Sequence, residues 1–91
     1  QGQSAIMNIT RSDGKNIPFA ADIYDEQGNV IGNVGQGGQA FVRGIEQQGN
    51  ISIKWLEESK PVSCLAHYQQ SSEAEKIAQS IILNGIRCQI Q

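Results

Sequence analysis

Cys64, His67 and Cys88 are the residues of this chain whose types most readily do chemistry, since two sulfurs and an imidazole are three of the four donors of a tetrahedral zinc site. On a strand, the odd spacing of Cys64 and His67 turns them to opposite faces, which works against a shared metal ion. Two cysteines in a short chain from an oxidising compartment more often pair, so a Cys64–Cys88 disulfide is expected in place of a metal. Residues 64 to 88 inclusive form a loop of 25 residues. Chain entropy values a crosslink of that length at roughly 3 to 4 kcal/mol.

Other reactive constellations are weaker. Gly35, Gly37 and Ala40 fit a loose dinucleotide fingerprint, but Phe41 and Val42 follow where a helix is required, so the segment reads as turn and strand and no nucleotide cofactor is expected. One histidine and the turn carboxylates Asp13, Asp25 and Glu26 offer no converging acid and base. Nucleophile elbow, zinc-protease helix and phosphate loop are all missing from the sequence. An enzyme acting on a small-molecule substrate is not expected.

Ninety-one residues suit one domain spanning 1–91 and one core, and at that size a covalent staple is useful. Seven Lys and Arg stand against nine Asp and Glu, for a net charge of -2 with no basic stripe, so nucleic acid and anionic membranes are poor partners. The longest apolar stretches, Ile81 to Leu83 and Ile51 to Leu56, are far short of the roughly 18 residues of a membrane span. No charged and then apolar leader opens the chain, which reads as an excised, soluble domain, expected to be a monomer in isolation.

The elements that must position these residues are short apolar runs punctuated by Gly, Asn and Asp, the pattern of antiparallel strands. Strands are expected at Ala5 to Thr10, Phe19 to Asp25, Val30 to Val34, Gln39 to Arg43, Ile51 to Leu56, Val62 to Gln69 and Ile86 to Ile90. Phe19, Ala21 and Ile23 share one face of the second strand. Gly28 can take positive φ in the turn that follows. Ile51, Ile53 and Trp55 alternate with Ser52 and Lys54, and Val62, Cys64, Ala66 and Tyr68 face away from Ser63, Leu65 and His67. Ser72 and Glu75 have capping-box spacing, and Ala74, Ile77, Ala78, Ile81 and Ile82 recur at helical intervals, which predicts a short helix over Glu73 to Ser80 ended by Asn84 and Gly85. The expected fold is all-β, a small seven-stranded β-sandwich with one short C-terminal helix.

From Pro18 to Tyr68, the run PFAADIYDEQGNVIGNVGQGGQAFVRGIEQQGNISIKW followed by CLAHY resembles the C-terminal domain of the outer-membrane fimbrial ushers of the chaperone-usher pathway. Pro18, Phe19, Ala21, Gly28, Gly32, Val34, Gly35, Gly38 and Trp55, then Cys64 and Tyr68, carry the resemblance. Ala20 stands where the family usually has glycine. The segment between Gln69 and Gly85 is longer, which resembles the ushers of capsular or non-pilus fibres. The resemblance implies a periplasmic domain at the end of an outer-membrane secretion pore, meeting chaperone-subunit complexes and the other domains of the usher, with no cofactor.

Strand phase then selects the docking candidates. Tyr24, Phe41 and Leu65 turn outward, and Ile31 joins them if a bulge shifts its register. Exposed apolar groups of this kind mark protein interfaces. The competing expectations are that these groups form a second small core, under the C-terminal helix or against the neighbouring usher domain, that the domain is a structural plug or spacer of the usher pore, or that it is a carbohydrate-binding sandwich. The last ranks lowest because every aromatic residue falls in an expected strand.

Overall fold

The computed structural model of the protein describes residues 2–71 and 75–91. Its elements in chain order are β1 (Gln3–Arg11), β2 (Asp22–Tyr24), β3 (Val30–Val34), a 3-10 turn (Gln36–Gly38), β4 (Gln39–Ile45), β5 (Gln48–Glu57), β6 (Lys60–Gln69), β7 (Lys76–Ile77) and β8 (Ser80–Ile90). The all-β expectation holds, and the strands β3, β5 and β6 lie where the alternation placed them.

The layering differs from the expected sandwich. The strands run β1-β4-β3-β2-β5-β6-β8, and β8 pairs back onto β1, so hydrogen bonding closes a seven-stranded barrel to which two-residue β7 is added on β8. Closure leaves the ring without a free edge. The closing pair is parallel, from Ser4↔Ser80 to Arg11↔Cys88, whereas every other pairing is antiparallel. Alternating residues face inward in a sandwich and in a barrel alike, which is why the pattern did not distinguish the two.

The expected C-terminal helix is also corrected. Ser72, Glu73 and Ala74 lie outside the described residues. Lys76–Ile77 is strand, and β8 begins at Ser80, so no helix occupies the described part of the segment. In β8 the period is two: Ile81 and Leu83 are buried while Ile82 is half-buried on the outside. Asn84 and Gly85 do not end a helix either; they form a bulge inside β8.

The core follows from the inward sets. Ala5, Met7 and Ile9 of β1, Ile23 of β2, Ile51 and Ile53 of β5, Cys64, Ala66 and Tyr68 of β6, and Ile81, Leu83, Ile86 and Cys88 of β8 fill the interior. Gly32 lets β3 approach β4 closely: a Cβ there would stand 2.0 Å from the Phe41 carbonyl oxygen. Phe19 is not inward. It sits in the turn before β2 with 69% of its surface exposed, and Ile17 and Ala21 are the buried residues of that segment.

Ala20 beside it has φ 72°, a conformation that glycine adopts without cost and alanine does not. Its amide donates to the Val34 carbonyl at 2.7 Å, which fixes the entry to β2.

Candidate protein-docking surface

The outward side chains follow from register. Tyr24 of β2 stands opposite Val30 of β3 and Ser52 of β5, Ser52 opposite Leu65 of β6, and Leu65 opposite Gln89 of β8. Tyr24 and Leu65 thus flank Ser52, and both line one shallow depression of about 460 Å³ together with Asp25, Glu26, Asn50 and Lys54. Leu65 is 43% exposed and Val30 47% exposed, while Tyr24 is half-buried. The Lys54 ammonium lies 4.8 Å from the Tyr24 ring centroid, covering part of the ring with a cation.

Asp25 anchors the rim of this depression. Its carboxylate accepts from the amides of Gln27 and Asn29, both at 2.9 Å, and its carbonyl accepts from the Gly28 amide at 3.1 Å. Gly28 has the positive φ the turn requires, 85°. The Asn29 amide, first among these donors, holds the Asp25 carboxyl below its usual range. Asn50 donates to Glu26 at 2.9 Å and meets the His67 ring at 3.1 Å, so the floor is polar and tied down.

Ile31 occupies a β3 bulge: Ile23 pairs with Gly32 and Tyr24 with Val30, leaving Ile31 unpaired in that ladder. It is half-buried, packs against the core, and lines a neighbouring depression with Asp25, Glu26, Glu46 and Tyr68. Phe41, 50% exposed, stands apart from these three. Its row runs from Ile82 through Ile6 to Phe41 and then Asn33. Following the ring, β4-β1-β8 lies across the barrel from β2 and β5. The outward apolar groups therefore form two patches, Val30, Tyr24 and Leu65 on one side and Phe41, Ile6 and Ile82 on the other.

Val30 and Ile6 have no signal in the sequence that marks them for this surface, and the sequence places Ile82 in the spacing of an expected helix rather than on a strand face. For Val30 the pairing with Tyr24 decides its face, and that register depends on the bulge, which no local pattern shows. Leu56 and Ile77 are also exposed.

The opposite end of the barrel carries a polar staple. Arg11, 5% exposed, donates to Asp13 at 3.0 and 2.7 Å, to the Asn16 carbonyl at 3.0 Å and to Glu57 at 3.3 Å. Its guanidinium lies 5.0 Å from the centroid of the Trp55 ring, and Trp55 donates to Glu57 at 2.8 Å. Every partner is another group of the same cluster, which satisfies the charge without leaving a group to react.

The sulfurs of Cys64 and Cys88 are bonded, with Cα atoms 5.3 Å apart. They link β6 to β8 beside the register pairs Cys64↔Ile90 and Ala66↔Cys88. His67 faces outward, exposed, away from that bond. Gln36–Gly38, the core of the loose nucleotide fingerprint, is a three-residue 3-10 turn leading into β4.

The chain matches the family model of the PapC C-terminal domain over residues 6–72. It is 98% identical to the outer membrane usher protein HtrE of Escherichia coli strain K12, over 100% of this chain and 10% of that protein. Among solved structures, it is similar to the Caf1A usher C-terminal domain, whose conserved surface hydrophobic clusters are described as important for F1 antigen assembly. That likeness has a TM-score of 0.74 at 23% identity, covering 96% of this chain and 97% of the other. A structure described as showing homology between the C-terminal domain of the PapC usher and its plug matches with TM-score 0.69 at 23% identity, over 99% and 95% of the two chains.

Proposed function

Because this chain belongs to the PapC C-terminal domain family, the C-terminal domain of outer-membrane ushers of the chaperone-usher pathway, we propose that it docks chaperone-subunit complexes in the periplasm during assembly of surface fibres. The observation that carries this reading is the outward pair of Tyr24 and Leu65 lining a shallow depression, with Val30 beside Tyr24 on the next strand, and Phe41, Ile6 and Ile82 as a second patch. Exposed contiguous apolar groups rimmed by polar ones are the usual form of a protein interface. The description of surface hydrophobic clusters on the Caf1A usher domain supports the same use here. Other usher domains are the second class of partner, and the domain alone is a monomer.

Calorimetry with the cognate chaperone-subunit complex tests this. Tyr24→Ala with Leu65→Ala is expected to weaken binding about tenfold, a loss of about 1.4 kcal/mol shared by two interface side chains, while the thermal midpoint stays near that of the parent. Collapse of the midpoint in these variants would mean the residues belong to a core.

The second reading, a plug or spacer, draws support from the likeness to a structure described as relating the PapC usher C-terminal domain to its plug. Undetectable binding, together with a leaky pore on deletion of the domain, would favour it.

A further inference from the structure

Six asparagines occur in the sequence, and five precede a β-branched residue: Asn8-Ile9, Asn16-Ile17, Asn29-Val30, Asn33-Val34 and Asn50-Ile51. The sixth is Asn84-Gly85. A branched side chain crowds the backbone nitrogen that follows asparagine, and glycine leaves it open.

The fold sets this pair apart as well. Between Met7↔Leu83 and Ile9↔Ile86, the parallel register of β1 and β8 slips, so that Asn84 and Gly85 together face Asn8. Neither has a register partner among the described residues, both are exposed, and Gly85 has φ 71°. The Asn8 amide Nδ2 donates to Asn84 Oδ1 at 2.6 Å. That oxygen would gather negative charge if the Asn84 carboxamide were attacked, and a donor aimed at it stabilises such an intermediate.

We propose that Asn84 is a site of spontaneous deamidation, promoted by the Asn8 side chain. The Gly85 backbone nitrogen, after giving its proton to solvent base, bonds to Asn84 Cγ. The bond from Cγ to Nδ2 breaks, and that nitrogen leaves as ammonia with a proton from solvent. Water then opens the resulting succinimide at either carbonyl, giving aspartate or isoaspartate. One water is consumed, one ammonia is released, and nothing is oxidised or reduced. The same route is slower at Asp13-Gly14, where loss of water needs a neutral carboxyl and two Arg11 contacts favour the ionised form. Asn84, Asn8 and Gln39 lie two residues along their strands from Ile82, Ile6 and Phe41, so the new carboxylate stands at the margin of the second apolar patch.

The test is prolonged incubation of the folded chain in mildly alkaline buffer, with peptide mapping by mass spectrometry and methyl labelling by an isoaspartate methyltransferase. Conversion is expected at Asn84 several-fold faster than at the other five asparagines, and absent there in Asn84→Gln. Asn8→Ala, with an unchanged thermal midpoint, is expected to slow it roughly two- to tenfold, the worth of one hydrogen bond. An intact Asn84 after such incubation, or conversion slower in the folded chain than in the denatured one, would overturn the site. An undiminished rate in Asn8→Ala would overturn the promoting role of Asn8.

Discussion

The guanidinium of Arg11 and the indole of Trp55 are stacked 5.0 Å apart at one end of the barrel, and both hydrogen-bond the same Glu57 oxygen. A cation with four polar contacts and an aromatic cover closes that mouth as a hydrophobic cluster would elsewhere. Arg11→Met is expected to lower stability by about 2 kcal/mol, since hydrogen bonds to charged groups are lost, and the thermal midpoint by roughly 10 °C for a domain of this size. Thermal denaturation followed by circular dichroism measures this.

The same staple predicts acid sensitivity. Hydrogen bonding to Arg11 holds the Asp13 carboxyl below its ordinary 3.8, and hydrogen bonding from Trp55 holds Glu57 below 4.5. For a carboxyl whose folded pKa lies below its unfolded one, the contribution is whole above the unfolded value and disappears as pH falls through the folded value. The midpoint should be level from neutrality to about pH 5 and decline below about pH 4. Arg11→Met should flatten that decline, and an equally steep one in the variant would assign it to other groups.

Ala20 offers a change in the opposite direction. At φ 72° its methyl group opposes the backbone, and Ala20→Gly restores the residue the family resemblance expects there. Relief of the left-handed strain is worth about 1 to 2 kcal/mol, offset in part by the greater freedom of glycine in the unfolded chain. The expected net gain is about 0.5 to 1 kcal/mol in urea denaturation, and a loss would show that the methyl group contributes packing.

Much of the strand framework was legible because single strands have local signatures. Ile51, Ile53 and Trp55 turned inward as their alternation required, and Leu65 turned outward as the complement of Cys64 and Ala66. What was not legible depends on distant partners. Ring closure joins Ser4 to Ser80, and no residue near either announces the other. Ile77, Ala78, Ile81 and Ile82 match a helix by spacing, yet the long pairing of β8 with β1 overrides that local preference. Alternation puts Phe19 on one face with Ala21 and Ile23, but the chain turns at Ala20 before the strand starts, which leaves Phe19 exposed while the other two are buried. Of the docking candidates, the sequence could state a face for Tyr24, Phe41 and Leu65 but only a conditional one for Ile31, whereas the grouping of Tyr24 with Leu65 and the separation of Phe41 needed the order of strands around the ring.

The disulfide should matter more than its loop length suggests. β6 and β8 share only the register from Cys64↔Ile90 to Ala66↔Cys88, and the Cys64–Cys88 bond secures that seam. Replacing both cysteines by serine is expected to cost about 3 kcal/mol from chain entropy, with burial of two hydroxyls adding to it. Hydrogen exchange should show the largest rise in β8 from Arg87 to Ile90; uniform loss of protection would point to global unfolding alone.

The parallel joint between β1 and β8 also has a consequence in time. A chain delivered to its compartment from the N-terminus presents β1 early, but the neighbour on one side of that strand is the last strand to arrive. Loop-closure entropy is largest for such a contact, so the ring can be sealed only after Ser80 to Cys88 have emerged. Until then Ala5, Met7 and Ile9 lack half of their cover, and any helper that shields newly exported segments would have its longest task there.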